Sequence, residues 1–384
     1  MMLPAFRKWL FIALASVLII SQSGCTDMKE MKDLNYATAI GVDYKDGKYH
    51  TYIQMVDLMK VAKTEGGDTS PANMWVSEAE GETFNSAFFD VYKTSQVRII
   101  WAHVTAIVLS ESALEQGFHE ILDGLTRYHE FRLTPWVYGT KEKISDILSV
   151  RGFFGQTSLD TILHSPESVF QQSSQLKPIE FFKLAKQIYE PAYTAFVPSL
   201  SVNDSQWEEN QIKEPKLSVN GAFFIKNKSY KGFYSRKVLE GIRWVIPKMA
   251  RIQVLIPSEE EPQFLPVFED PKANYKAKNG RVEIEVEAKG YITNRDNNKT
   301  TNLKEMEDLT EAVIKKEIQR LFDLSIEENT DFLNLEHTLY RDNWKVWKKN
   351  KHLTQESLKS IKVNVELIHS GGSKNRVLEM DYMR

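Results

Sequence analysis

The alternation of apolar and polar positions is clearest toward the C-terminal end of the chain. Val282, Ile284, Val286 and Ala288 alternate with Glu283, Glu285, Glu287 and Lys289, and Ile361, Val363, Val365 and Leu367 alternate with Lys362, Asn364 and Glu366. A period of two describes a strand with one buried and one wet face, the antiparallel pattern. Between these runs, Leu303, Met306, Val313, Ile314 and Leu321 share one stripe of a helical pattern over Leu303–Phe322. That stripe is wide enough to cover the apolar side of the sheet.

The N-terminal half reads as alternating strands and helices. Tyr36–Val42 and Tyr49–Leu58 are strand-like and flank Asp46-Gly47, a hairpin signal. Gly41-Val42-Asp43 then reads as a strand end entering that turn. Ala62–Asn73 carries Gly, Ser and Pro and predicts a surface loop. Phe84, Phe88 and Val91 predict a helix over Glu82–Thr94, and Arg98–Leu109 a mostly buried strand. Ser112-x-x-Glu115 reads as a capping box opening the next helix, which buries Leu114, Phe118, Ile121, Leu122 and Leu125. A strand at Thr134–Gly139, a helix at Lys141–Ser149, a helical face of Phe181, Leu184, Ala185 and Ile188, and a strand at Ala195–Val202 follow.

Polar Ser205–Pro215 reads as a boundary. Beyond it, Leu217–Lys226 and Tyr230–Tyr234 predict a hairpin across Asn227-Lys228, and Arg236–Val245 a short helix. Acidic, Pro-bearing Ser258–Pro271 reads as a linker. The expected fold is α+β, with three mixed α/β domains at 25–205, 206–265 and 266–384 after a cleaved signal peptide at 1–24, and an antiparallel C-terminal sheet packed by a long helix.

The start of the chain changes this picture. Arg7 and Lys8 precede an apolar run of 12 residues, Trp9–Ile20, then small and polar residues ending in Gly24-Cys25. Spanning a bilayer takes about 20 apolar residues, so the run reads as a secretory signal peptide. Cys25 is the one cysteine in 384 residues. It stands where bacterial lipoprotein precursors carry the cysteine that receives a diacylglycerol and becomes the mature N-terminus. Ser23 and Gly24 fit that processing site, and Gln22 departs from the usual branched apolar residue. An ordinary secreted chain with an unmatched cysteine and an uncleaved anchor are the alternatives. Loss of Arg7 and Lys8 with the signal takes the formal charge from −3 to −5, which argues against nucleic acid and against a polybasic membrane patch. Two or three acyl chains would anchor the protein stably.

Catalytic signatures are missing. The sequence has no Gly-rich phosphate loop, no G-x-G-x-x-G and no G-x-S-x-G, and no cofactor is expected. His119-Glu120-Ile121-Leu122-Asp123 begins like a zinc-protease helix but carries core residues within it. Asp296, Asn298, Thr300, Asn302 and Glu307 have EF-hand spacing, yet Thr301 takes the place of the turn glycine. Glu283, Glu285 and Glu287 read as a solvated strand face, and Trp344 and Trp347 as packing onto a neighbouring sheet.

In order and spacing, several short motifs resemble the Ger(x)C family, the lipoprotein C subunits of nutrient-germinant receptors in endospore-forming bacteria. These are Cys25 with a charged segment after it, Ala39-Ile40-Gly41-Val42-Asp43, Gly81-Glu82-Thr83-Phe84, His103–Val108, Arg127-Tyr128, Gly221-Ala222-Phe223-Phe224, Gly232, Glu240-Gly241-Ile242-Arg243-Trp244, Asp331-Phe332-Leu333, Trp344 and Trp347. The resemblance runs from Cys25 to about Gly371; Thr26 stands where the family commonly has an aromatic residue. It implies a three-domain α+β protein without catalytic residues, lipid-anchored at Cys25 on the outer face of the spore inner membrane. Its implied partners are two integral membrane subunits, A- and B-type, in a complex that responds to small nutrients such as amino acids or sugars. A lipid-anchored solute-binding protein, which would show two similar lobes around a cleft, and an envelope hydrolase are the other readings.

Overall fold

In the computed structural model the described residues are 8–9, 34–58, 73–127, 130, 132–257, 263–295, 302–349 and 352–369. Cys25, nearly all of the expected signal peptide, the loop expected at 62–73 apart from Asn73, and Asp296, Asn298 and Thr300 lie outside them.

Strands β1 (Asn35–Lys45) and β2 (Lys48–Val56) form the expected hairpin, with Asp46 at φ 51° and Gly47 at φ 80° in its turn. β3 (Met74–Gly81) adds antiparallel to β2. Helix α1 (Phe84–Asp90) is opened by a Thr83–Ser86 capping box. The buried run expected over Arg98–Leu109 is broken into β4 (Ile99–Ile100) and β5 (Ala106–Ser110) by a turn in which the Val104 amide donates to the Trp101 carbonyl. Helix α2 (Phe118–Arg127) follows a π-helical turn at Ala113–Gly117. The Ser112 capping box does not form. Ser110 Oγ accepts the Ala113 amide instead, and Ser112 Oγ donates to Asp43 Oδ1 at 2.8 Å.

After β6 (Trp136–Thr140) come α3 (Ile144–Ser149), α4 (Glu167–Gln172), β7 (Ile179–Glu180), α5 (Phe181–Tyr189) and β8 (Thr194–Asn203). β9 (Glu208–Glu209) and β10 (Ile212–Lys213) make a separate small ribbon, and β11 (Lys216–Lys226) and β12 (Ser229–Ser235) form the expected second hairpin. The first sheet runs β12-β11-β8-β6-β5-β1-β2-β3, with β8, β6, β5 and β1 mutually parallel at its centre. A parallel centre must be covered on both faces. Helices α1, α2 and α5 pack one core against it, and Ile144, Ile147 and Leu148 of α3 pack another on the opposite face.

A second sheet contains β13 (Ile252–Gln253), β14 (Phe264–Phe268), β15 (Lys272–Lys278), β16 (Arg281–Arg295) and β17 (Leu358–His369), and is covered by α6 (Leu303–Glu327). The expected long helix is therefore present and extends past Phe322. Ile314, Ile318, Leu321 and Phe322 are fully buried, each stabilising the fold by about 1.5–3 kcal/mol. Two features differ from the sequence reading. β16 and β17 pair parallel, joined by the α6 crossover, while β13, β14, β15 and β16 pair antiparallel. Alternation reports one buried face and is silent on direction, so pairing follows from the crossover. The expected linker also contains β14, whose Pro266 sits at a register shift against β16, a place where a missing N–H breaks no ladder bond. Glu311 and Glu307 on α6 accept the Val365 and Leu367 amides, capping the outer edge of β17.

Among the described residues, the stretch 206–265, expected as a small middle domain, makes no separate sheet of its own beyond the β9–β10 ribbon. Its β11–β12 hairpin extends the first sheet, and its β13 and the start of β14 belong to the second. Alternation along β11 sends Phe223 and Ile225 into the first core and Ala222 and Phe224 into the second.

Candidate functional site

Several of the short motifs singled out in the sequence are architectural. Gly41 lies under α3 so closely that a Cβ there would stand 2.3 Å from Ile144 Cγ2. Asp43 is buried, salt-bridged to Lys45 at 2.6 Å and bonded by Ser112. Burial would raise its carboxyl pKa, but hydrogen bonds from Lys45, Ser110 and Ser112 outweigh it and hold the group below the ordinary value. Gly241 meets α6 backbone to backbone, a Cβ there being 2.5 Å from the Glu317 carbonyl. Glu317 in turn accepts from Arg243 Nη2 at 2.7 Å and Trp244 Nε1 at 2.6 Å.

The remaining motifs converge on the junction between the sheets. Phe332 stands edge-on to both Phe224 and Tyr234, with centroids 4.8 and 4.7 Å away. Beside it, Asp331 accepts the Leu335 amide on Oδ1 at 3.0 Å and the Glu336 amide on Oδ2 at 2.7 Å, opening helix α7 (Leu335–Asp342). Buried Glu336 accepts from buried Lys226 Nζ at 2.7 Å, tying α7 to β11. Asn334, at φ 56°, accepts the Thr194 amide at 2.7 Å and donates to the Thr194 carbonyl at 3.1 Å, tying the same loop to β8. Burial, then the charge of Glu336, push the Asp331 carboxyl up to about 7, against the two backbone amides and Lys226. This polar cluster was not legible in the sequence, because Lys226 and Thr194 lie 110 and 140 positions from their partners Glu336 and Asn334; its one local signal is an Asp preceding a helix.

A second buried network also escaped the sequence reading. His164 is enclosed between Gln54 and Thr105, with Nε2 3.0 Å from Gln54 Oε1 and Nδ1 2.6 Å from Thr105 Oγ1. Gln54 Oε1 also accepts from Thr38, and Gln54 Nε2 donates to the Leu148 carbonyl. His164 Nε2 therefore carries the proton. Burial holds its pKa down at about 3, so it is a neutral, satisfied core residue.

The weaker candidates resolve the same way. Glu120 accepts from Tyr49 and from the Phe84 amide, and Asp123 pairs with Arg127. No group of three His, Cys, Asp or Glu residues placed to hold a metal occurs among the described residues. Trp347, on α8 (Trp344–Lys349), packs against Tyr340 of α7 at 5.3 Å, whereas Trp344 is exposed. Among the described residues, no helix is long and apolar enough to cross a membrane.

Against known proteins, the model for the spore germination protein N-terminal domain matches residues 27–202, and that for the spore germination B3/GerAC-like C-terminal region matches residues 220–371. Spore germination protein KC of Bacillus subtilis is 23% identical, with 94% of each chain covered. Spore germination protein YndF of the same organism is 20% identical, covering 95% of this chain and 97% of its own length. The crystal structure of the GerBC protein superposes with a TM-score of 0.50 at 15% identity, covering 86% of this chain and 96% of that one, and shows the shared fold. Both parts of the fold are thus those of a spore germination protein. The chain belongs to the Ger(x)C family of germinant-receptor C subunits.

Proposed function

We propose that this chain is the lipid-anchored C subunit of a nutrient-germinant receptor and works by protein–protein contact, without catalysis of its own. The observation that carries this reading is the pair of family matches, which together take in residues 27–202 and 220–371 and begin two residues after Cys25. Cys25 is the lipidated mature N-terminus and places the protein on the outer face of the spore inner membrane, beside two integral membrane subunits. The junction around Asp331 ties the two sheets together through Lys226, Asn334 and Phe332, which supports a single contact-making body. The two parts also differ in size and topology, unlike the matched lobes of a solute-binding protein. Copurification tests the reading. A tagged chain solubilised from spore membranes should retain an A-type and a B-type membrane subunit, and recovery of the chain alone under mild cross-linking would oppose it.

A further inference from the structure

Strands β6 and β8 meet at one pair, Gly139 with Ser199. Trp136 and Val137 pair with β7 instead, and Pro198 brings no N–H to the ladder. Tyr138 and Pro198, on either side of this seam, line a cavity of about 360 Å³, within the roughly 300–1,000 Å³ range of sites that bury small ligands. It lies where the core beneath α3, through Tyr138 and Leu217, meets the core of the second sheet, through Phe170 and Leu176. Helix α4 forms one wall. None of its residues is buried; Val169 is 51% exposed and Phe170 half-buried, and both line the cavity rather than fill a core. The wall is nonetheless held in place. Ser174 Oγ donates to the Phe170 carbonyl at 2.7 Å and accepts the Arg251 amide at 2.9 Å, and the Ser174 amide donates to the Arg251 carbonyl at 2.7 Å. Across the cavity, the Tyr138 hydroxyl donates to the Ile162 carbonyl at 2.7 Å.

The chain around these walls is described without a break from 132 to 257. Ser173, Gln175, Gln206 and Ser218 are the polar lining groups, and Arg236 is the one charged side chain among the described lining residues. Arg236 is exposed and makes no ion pair among the described residues, and Glu167 of α4 is exposed outside the lining. We infer that this cavity binds a small amphipathic carboxylate, its hydrocarbon body against Tyr138, Val169 and Phe170 and its carboxylate on the Arg236 guanidinium. The planar fork of guanidinium donors matches the two oxygens of a carboxylate. An ammonium in the same place would shed water with no lining carboxylate to meet it, which is costly. The site goes beyond the receptor reading and does not depend on it.

The full chain in phosphatidylcholine nanodiscs tests this by calorimetry and saturation-transfer NMR, with empty nanodiscs as blank. Hydrocinnamate, phenethyl alcohol and phenethylamine share one body and differ in charge. Arg236 attracts the first and repels the last, so hydrocinnamate should bind about tenfold more tightly than the amine. Arg236→Gln should reduce hydrocinnamate to the level of the alcohol. Val169→Trp, which narrows the cavity from a helix without buried residues, should weaken all three probes about tenfold or more. Both changes fall at exposed positions, so each variant should keep the wild-type denaturant midpoint. Failure of all three probes to bind, equal binding of carboxylate and amine, an Arg236→Gln chain that keeps the carboxylate preference, or undiminished binding to Val169→Trp would each overturn the site. Such a failure leaves the receptor reading standing, because germination of spores lacking the chain tests that separately.

Discussion

Glu283, Glu285 and Glu287 look equivalent in the sequence, as a wet row along β16, yet the fold separates them. Glu283 is buried and accepts from Lys362 at 2.8 Å, Ser360 at 2.8 Å and Lys359 at 3.2 Å, while Glu287 stays exposed. These bonds, Lys362 first, hold its carboxyl down at about 2 from an ordinary 4.5. A depressed folded pKa adds stability that is complete above the unfolded value and is lost as pH falls through the folded one. The unfolding midpoint should therefore decline between pH 4.5 and about 2, and Glu283→Gln should flatten that decline in a pH series of urea melts. At Gly41 the test is steric. An added methyl would stand 2.3 Å from Ile144 Cγ2, on a β-branched side chain fixed by α3. Gly41→Ala should cost about 1–3 kcal/mol as overpacking, read as a shift in the denaturant midpoint. A neutral result would mean α3 sits farther from β1.

Among the elements, helix α6 and the strands it joins were legible because periodicity survives burial, and both hairpins because turn chemistry is local. What was not legible depended on distant partners: the parallel register of β16 on β17, the split of residues 206–265 between two sheets, and the junction of Lys226, Asp331 and Glu336. Nothing near Lys226 shows that the last residue of an apolar strand meets a glutamate 110 positions away. Removing one member of a buried ion pair leaves the other uncompensated, at about 3–5 kcal/mol. Lys226→Met should destabilise the protein by that order in chemical denaturation, and adding Glu336→Gln should recover part of the loss. Asp331 has the opposite linkage to Glu283. Its folded pKa, raised from 3.8 to about 7, gives a contribution that is full below the unfolded value and lost as pH rises through about 7. Amide exchange at Leu335 and Glu336 should thus report a junction that loosens from pH 4 toward pH 7 after correction for intrinsic rates. Asp331→Asn should remove that dependence while weakening one of the two amide bonds.

At the scale of the whole molecule, the cores of two dissimilar sheets meet on the two faces of strand β11, and the sheets are pinned together by Phe332, Asn334 and Lys226. A body so joined suits the proposed role of contact between partners, in which a lipid on Cys25 would fix where the chain stands. Cys25→Ala should move the chain from the membrane to the soluble fraction of spore extracts, and unchanged retention would mean that another anchor holds it. The most direct measurement is germination itself. Spores lacking this chain, in a strain without paralogous receptors, are scored for loss of refractility across a panel of amino acids and sugars. The account predicts loss of the response to at least one nutrient, restored by the wild-type chain and weakened with Cys25→Ala. Normal germination on every nutrient would contradict it.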